Sequence, residues 1–322
     1  MKKILSAILA VILCASFCLL AVSCSENGSK KYTVGIVQLV QHVALDAATE
    51  GFKKALVDKL GEDNVVFDYQ NASGEPANCT TIVNNFVSNK VDLIMANATP
   101  ALQAAYNATQ TIPILGTSVT EYGVALGIEN FNGTVGANVS GTSDLAPLDE
   151  QAQMILDLFP EAKTVGLLYC SAEANSQYQV KVVKEYLEGK GITCKTYTFS
   201  DSNDISAVTT AAASEIDVMY IPTDNAAASS AEIIGNILRD KKIPAIAGEE
   251  GICAKCGVAT LSISYYDLGY KTGEMAAEIL RGDKKIEEMP IAYAPTTKKY
   301  NKTIADELGV TIPDGFTAIA AE

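Results

Sequence analysis

The chain has 322 residues, with 24 basic side chains against 38 acidic ones and a formal net charge of −14 at pH 7. This acidic balance argues against a nucleic-acid partner, because binding to phosphates needs clustered Lys and Arg. The length is sufficient for two domains, each with its own hydrophobic core.

Residues 1–23 have the pattern of a secretory signal peptide. Lys2 and Lys3 precede an unbroken stretch of apolar and small residues from Ile4 to Val22. The stretch barely reaches the length of a membrane span. We therefore predict that this segment directs export and is not part of the fold.

The end of this segment, Ala21-Val22-Ser23-Cys24, resembles a bacterial lipobox. The resemblance implies that residues 24–31 are a lipidated Cys24 and a polar tether, which anchor an extracytoplasmic protein to the cell membrane. Simple secretion and a retained helix are the alternatives. Cleavage would leave 22 basic against 38 acidic side chains, a balance of −16.

Arginine and cysteine usage restricts the chemistry. Arg239 and Arg281 are the only arginines, although Arg is the usual partner of a ligand carboxylate. Besides Cys24, five cysteines follow the signal, an odd number that cannot form a complete set of disulfides. The segment Cys253-Ala-Lys-Cys256 has redox-type spacing, but no second pair completes a zinc site, and buried residues of a short helix are the favoured interpretation.

From Tyr32 onward, short β-branched runs alternate with amphipathic stretches. The runs are almost continuously apolar, which predicts a parallel sheet covered by helices on both faces. In the first half the predicted strands are Val34–Val37, Val65–Tyr69, Leu93–Ala96 and Ile114–Leu115, and the predicted helices are Leu45–Leu60, Thr80–Asn89 and Pro100–Asn107.

The same alternation then restarts, so the sequence predicts one architecture built twice. The predicted strands of the second half are Val165–Tyr169, Thr193–Phe199, Val218–Ile221, Ala245–Ala247 and Ala259–Ile263. The predicted helices are Asp149–Phe159, Gln177–Gly189, one after Asp204, Ala227–Asp240 and Leu268–Arg281. Prolines interrupt the tail after Lys285.

Polar residues follow the apolar runs in both halves. In open parallel sheets, ligands bind outside the carboxyl ends of the strands. The candidate ligand-binding residues at these positions are Gln38, His42, Thr99, Thr117 and Ser118 in the first half and Asn175, Ser176, Asp224 and Glu249 in the second. Helix capping alone explains such residues individually, but two polar sets, one in each half, favour a ligand cleft.

Enzyme motifs for nucleotide binding, nucleophilic serines and zinc peptidases are missing from the sequence. A histidine-based site would depend on His42 alone. An exported hydrolase or transferase that uses Asp224, Glu249 and His42 is the alternative from another class. We expect no cofactor and no metal site.

Several segments together resemble the substrate-binding components of ABC transporters, in the group associated with tryptophan or tyrosine uptake. They are Val34-Gly-Ile-Val-Gln-Leu-Val-Gln-His, Ala98-Thr-Pro-Ala-Leu-Gln-Ala, Gly141-Thr-Ser-Asp-Leu, Ile221-Pro-Thr-Asp-Asn, Gly248-Glu-Glu and Tyr265-Tyr-Asp-Leu-Gly-Tyr-Lys-Thr-Gly. The resemblance implies a type I periplasmic binding protein fold, α/β, with two Rossmann-like lobes and parallel sheets joined by three hinge crossovers. Lobe 1 would comprise residues 32–140 plus 265–288, and lobe 2 residues 141–264 plus 289–322.

The resemblance also implies a ligand and partners. An aromatic amino acid would place its ammonium group against Asp224 or Glu249. Its carboxylate would meet the hydroxyls of Thr99, Thr117 and Ser118, helix amides, and Asn175 or Ser176. Its aromatic ring would lie among Val40, His42, Tyr122 and Tyr265. We expect a monomer that serves a permease and its ATPase; a sensory module that passes the ligand state to a receptor is the remaining alternative.

Overall fold

The computed structural model describes residues 31–320. The predicted signal peptide and Cys24, with the rest of the tether up to residue 30, therefore lie outside the described residues. The chain from Tyr32 onward forms one compact unit. Within the described part of the chain, no helix has both the length and the apolar character needed to cross a membrane.

The chain begins with a regular alternation of strands and helices. In order it forms β1 (Tyr32–Gln38), α1 (Val43–Leu60), β2 (Val65–Asn71), α2 (Pro76–Ser88), β3 (Leu93–Asn97), α3 (Thr99–Ala108), β4 (Ile114–Val119), α4 (Tyr122–Leu126) and β5 (Val139–Ser143), with a short 3-10 turn at Glu62–Asn64. Gly61 ends α1 with a φ of 88°, a conformation that glycine adopts without strain. The sequence predicted this helix end.

The second series repeats the pattern. It comprises α5 (Leu148–Leu158), β6 (Thr164–Cys170), α6 (Ala174–Gly189), β7 (Thr193–Phe199), α7 (Ile205–Ala212), β8 (Val218–Ile221), α8 (Asn225–Ser229), α9 (Ala231–Lys241), β9 (Ala245–Ala247), α10 (Glu250–Cys256) and β10 (Ala259–Ser262). The final part comprises α11 (Tyr265–Arg281), a 3-10 turn at Ile286–Glu288, β11 (Ala292–Tyr293), β12 (Thr297–Tyr300), α12 (Lys302–Leu308) and β13 (Thr317–Ala318).

These strands form two separate sheets, which define two lobes. The first lobe contains a six-stranded sheet in the order β11-β5-β4-β3-β1-β2, and the second a seven-stranded sheet in the order β13-β12-β10-β9-β8-β6-β7. Every neighbouring pair is parallel except β10 and β12. Buried apolar clusters cover both faces of each sheet. The predicted α/β architecture with two mostly parallel sheets is confirmed.

Three connections join the lobes. The first lies between β5 and α5, the second between β10 and α11, and the third between β11 and β12. In the first sheet, β5 ends at Ser143 and β11 ends at Tyr293. The first and third connections therefore come slightly later in the chain than the sequence suggested.

Helices α1 and α11 pack against each other unusually closely on the first sheet. A Cβ atom at Gly269 would lie 1.9 Å from the Ala48 carbonyl oxygen, and one at Gly51 would lie 2.1 Å from the carbonyl oxygen of Tyr266. Any larger residue at these two positions would push the helices apart. The glycines therefore fix α11, which starts at the second connection, against the first lobe.

The short elements α4, β11, β12, α12 and β13 were not predicted, and two further elements differ from the prediction. The predicted helix Ala227–Asp240 is two helices, because Ser230 leaves the helical conformation, with φ −118° and ψ 14°. Strand β5 was missed, since its sequence Val-Ser-Gly-Thr-Ser contains a single large apolar residue although all five residues are buried.

Candidate functional site

A small cavity of about 10 Å³ lies between the lobes, at the carboxyl ends of the parallel strands. This volume corresponds to about one water molecule, so the lobes are closed upon each other. The first lobe contributes His42, Leu45, Ser118, Thr120 and Tyr265, the first connection contributes Asp144, and the second lobe contributes Asn175, Thr223, Asp224, Asn225, Ala228 and Glu249.

The structure brings six of the ten predicted ligand-binding residues to this cavity. These six are His42, Ser118, Asn175, Asp224, Glu249 and Tyr265. The four others, Gln38, Thr99, Thr117 and Ser176, are buried beside it and do not line it.

Three of these four make side-chain hydrogen bonds within their own lobe. The Gln38 side chain donates to Asp46 and accepts from Thr49. The Thr117 hydroxyl pairs with that of Thr142 at 3.2 Å.

Ser176 supports a residue of the cavity itself. Its hydroxyl oxygen accepts a 3.3 Å hydrogen bond from Asn175 Nδ2. Val40 and Tyr122, which the sequence placed near the ligand ring, instead pack in the apolar core of the first lobe, where the Tyr122 hydroxyl donates to the Thr142 carbonyl at 3.0 Å.

Asp224 caps α8 and connects it to β6. Its Oδ1 accepts a hydrogen bond from the Ala227 amide at 2.8 Å, and its Oδ2 accepts one from the Cys170 amide at 2.7 Å. Burial, and then the nearby Glu173 charge, raise the pKa of Asp224 to about 7. Both oxygens are thus engaged by backbone amides within the second lobe.

Glu249 has the same role at α10. Its carboxylate accepts from the Gly251 amide at 2.6 Å and from the Ile252 amide. Burial raises the pKa of Glu249 to about 7. The two predicted acidic residues therefore face the cavity while their oxygens hold helix N-termini.

Asp144 is the acidic residue that sequence reasoning missed. It follows β5 directly, and its Oδ2 accepts a 2.9 Å hydrogen bond from the Tyr265 hydroxyl. Its Oδ1 is buried without a partner in hydrogen-bonding geometry, although the nearby Thr120 hydroxyl helps to lower the pKa of the group. Burial is the larger effect and raises the pKa of Asp144.

A hydrogen-bonded chain crosses the cleft from His42 to Glu173. Glu173 Oε2 accepts a 2.6 Å hydrogen bond from Asn225 Nδ2, so the Asn225 Oδ1 atom faces away from Glu173. That oxygen lies 3.3 Å from His42 Nε2, and this pairing requires the proton of a neutral His42 to be on Nε2. Burial lowers the pKa of His42.

Three buried polar atoms on cavity-lining side chains have no hydrogen-bond partner. They are Ser118 Oγ, Asp144 Oδ1 and Asn175 Oδ1. An unpaired buried polar atom costs roughly 1–3 kcal/mol, and such atoms at a cavity are suited to pair with a ligand. Ser118 also has a φ of 54°, in the left-handed region.

No Lys or Arg lines the cavity, which is enclosed entirely by residues that the structure describes. Within the same described range, 31–320, no group of three or more His, Cys, Asp or Glu side chains has an arrangement that could hold a metal ion. Cys253 and Cys256 are buried in α10 as free thiols, and burial raises the pKa of both. Those two cysteines therefore have a packing role.

A wider cavity of about 390 Å³ lies at the mouth of the cleft. His42, Ala228 and Glu249 line both this outer cavity and the inner one. These three residues therefore lie between the inner cavity and the outer one.

The fold defines a two-lobed protein of the solute-binding class, with a candidate ligand site in the interlobe cleft. The sequence profile of the family described as ABC transporter substrate binding protein matches residues 33–322. The chain belongs to this family, and its fold is that of the type I periplasmic binding proteins.

A curated relative covers nearly the whole chain. It is the tyrosine-binding protein of Clostridioides difficile strain R20291, with 38% identity over 312 residues, which are 92% of this chain and 89% of the relative. Family and relatives are solute-binding proteins, so the chain is not an enzyme, and the hydrolase or transferase alternative is set aside.

Two solved structures indicate the arrangement of the lobes. An ABC domain from Streptococcus pneumonia in complex with L-Trp is 32% identical, with a TM-score of 0.85, and the match covers 90% of this chain and all of that one. The ligand-free, open structure of a substrate-binding protein with adhesive properties from Clostridium difficile is 40% identical, with the same coverage but a TM-score of only 0.68. The lower score with the ligand-free, open structure, despite its higher sequence identity, fits lobes that are closed in this chain.

Proposed function

We propose that this protein binds an aromatic amino acid in the interlobe cleft and delivers it to the permease of an ABC importer. The observation that carries the proposal is the set of unpartnered buried atoms, Ser118 Oγ, Asp144 Oδ1 and Asn175 Oδ1, which two lobes and the hinge between them direct to one cavity. A tyrosine-binding relative and an L-Trp complex support this ligand class.

Polar and apolar parts of an amino acid have separate partners in the cleft. Asp144 and Asn175 present acceptor oxygens that suit an ammonium group, and the hydroxyls of Ser118 and Thr120 can donate to a carboxylate. Leu45 and Tyr265 offer apolar surface for a ring. Ser176 supports Asn175 from behind through a 3.3 Å hydrogen bond.

Entry of such a ligand requires movement of the lobes. A cavity of about 10 Å³ is far smaller than an aromatic amino acid. In this proposal the ligand enters while the lobes are apart, and closure about the three connections surrounds it. The permease and its ATPase then recognise the closed form of a monomeric binding protein.

The cellular location of the protein is inferred from its family and from its N-terminal sequence. Substrate-binding proteins of ABC transporters are extracytoplasmic. We infer that the signal of residues 1–23 is removed and that lipidated Cys24 anchors the protein to the outer face of the membrane. Metabolic labelling with a radioactive fatty acid should mark the wild-type protein and not Cys24→Ala; equal labelling of both would contradict the anchor.

Thermal-shift screening tests the ligand assignment. The chain after Cys24 is heated with each of the twenty amino acids and with nucleosides, and each stabilising compound is then titrated by calorimetry. We expect selective stabilisation by Tyr, Trp or Phe, since a ligand at about 100 times its Kd adds roughly 2.7 kcal/mol. Stabilisation only by an aliphatic amino acid or a nucleoside would contradict the assignment.

A further inference from the structure

We propose that the cleft recognises its ligand through a primary ammonium group bound at Asp144, and that a carboxylate on the ligand is dispensable. Arylalkylamines, the decarboxylated counterparts of aromatic amino acids, are then ligands of the same site. This inference rests on the proposed function and specifies which part of the ligand the protein requires.

The first support is the number of unused acceptors. Asp144 Oδ1 and Asn175 Oδ1 are buried, line the cavity and have no partner. Asn175 is fixed in this orientation, because its Nδ2 donates to the Thr223 carbonyl at 3.0 Å and to Glu173 Oε2 at 3.2 Å. A protonated primary amine supplies three N–H donors, which match two fixed acceptors and the Ser118 hydroxyl.

The second support is the charge around the cavity. Asp144, Asp224 and Glu249 line it. All the residues that line it belong to the described part of the chain, and none of them is a Lys or an Arg. Glu173 lies behind Asn175 and adds a fourth carboxylate. A cation is favoured at this position, whereas a ligand carboxylate would find only the Ser118 and Thr120 hydroxyls and no cationic side chain.

Asp144 is the acidic residue best placed for this contact. The oxygens of Asp224 and Glu249 already accept hydrogen bonds from two backbone amides each. Asp144 accepts the Tyr265 hydroxyl on Oδ2 and has the Thr120 hydroxyl nearby, but its Oδ1 has no partner in hydrogen-bonding geometry and is left for the ligand. Because Asp144 stands in the first connection between the lobes, the ammonium contact also falls at the hinge.

The test compares three ligands that share one ring. The full mature protein, purified in detergent, is titrated by calorimetry with L-tyrosine, with tyramine, which lacks the carboxylate, and with 3-(4-hydroxyphenyl)propionate, which lacks the amine. We expect tyramine to bind within about ten-fold of tyrosine and the deaminated acid to bind at least about 100-fold more weakly.

A matched pair of variants locates the contact. Asp144→Asn, which keeps an oxygen for the Tyr265 hydroxyl, should weaken both tyrosine and tyramine by about 30-fold or more. Asp149→Asn, at an exposed acidic residue in α5, should change neither. Thermal unfolding of each variant shows whether it is folded, and the ligand comparison on the wild-type protein does not depend on either substitution.

The outcomes separate this inference from the proposed function. If tyrosine binds but tyramine does not, or if the deaminated acid binds as well as tyrosine, the inference that the ligand is recognised through its ammonium group alone is wrong. The proposed amino-acid function then still stands. If neither tyrosine nor any other aromatic amino acid binds, the proposed function fails as well.

Discussion

The Tyr265 hydroxyl donates a 2.9 Å hydrogen bond to Asp144 Oδ2, and the two residues belong to different connections between the lobes. Asp144 comes directly after β5, and Tyr265 is the first residue of α11. Both side chains line the inner cavity. A ligand that contacts Asp144 therefore acts at a point where two of the three connections meet.

Removal of this hydroxyl should weaken ligand binding. In Tyr265→Phe, the buried Asp144 carboxyl loses the hydroxyl that is bonded to its Oδ2 and will hold a proton more readily, which makes it a poorer acceptor for an ammonium group. We expect the Kd for tyrosine to rise about five- to ten-fold. Tyr266→Phe, at the neighbouring tyrosine with 40% exposure, is the control and should leave the Kd unchanged; calorimetry compares them, and equal effects would contradict this role.

The contact between His42 and Asn225 should stabilise the closed form. It joins the first lobe to the second at 3.3 Å, and Glu173 holds the Asn225 amide in the required orientation. His42→Ala should therefore raise the dissociation rate of the ligand about five-fold, by the loss of one hydrogen bond. Stopped-flow measurement should find no change in Gln41→Ala, an exposed neighbour, and an unchanged rate in His42→Ala would contradict the role.

Ligand affinity should increase with pH. Burial raises the pKa of Asp224 and Glu249 to about 7 and also raises that of Asp144. A cationic ligand binds best when these groups are ionised, so we expect the Kd for tyrosine to fall about ten-fold between about pH 5.5 and about pH 8. Glu173, His42 and Tyr265 also face this cluster. A Kd that is constant over this interval would contradict the charge assignment.

The stability of the protein without ligand should change in the opposite direction. The folded state binds these protons more tightly than the unfolded chain does, since the pKa values of Asp224 and Glu249 are raised. Their contribution to stability is complete below about pH 4 and is lost as the pH rises through about 7. Thermal unfolding should show this loss in the wild-type protein and a smaller loss in Glu249→Gln; an equal loss in both would contradict the origin of the effect.

The sequence predicted most of the fold because the buried strands are nearly continuous apolar runs. It missed β5, whose Ser, Gly and Thr residues carry little β signal although the strand is buried. It also merged α8 and α9, because Ser230 interrupts the helix without the Gly or Pro that usually marks a break.

The site was predictable in part. Clear apolar runs predicted the strands that precede Asp224 and Glu249, and both of these residues line the cavity. Asp144 follows the missed strand, so its position could not be derived, although the segment Gly141-Thr-Ser-Asp-Leu contains it. Glu173 contacts Asn225 across 52 positions of sequence, and local patterns do not reveal such a pairing.

The close packing of α1 and α11 can be tested by a single methyl group. Gly269→Ala would place Cβ 1.9 Å from the Ala48 carbonyl oxygen, and we expect it to destabilise the protein by about 3 kcal/mol or more. Gly189→Ala, at the last residue of α6 with open space around it, should be neutral or stabilising by about 0.5–1 kcal/mol. Urea unfolding of the two variants compares them, and equal stabilities would contradict the packing.

A crystal structure of the protein with L-tyrosine tests the central claim most directly. We predict closed lobes with the ligand amine about 2.7–3.2 Å from Asp144 Oδ1 and from Asn175 Oδ1. A ligand bound outside the cleft, or one whose carboxylate rather than its amine lies against Asp144, would contradict the account.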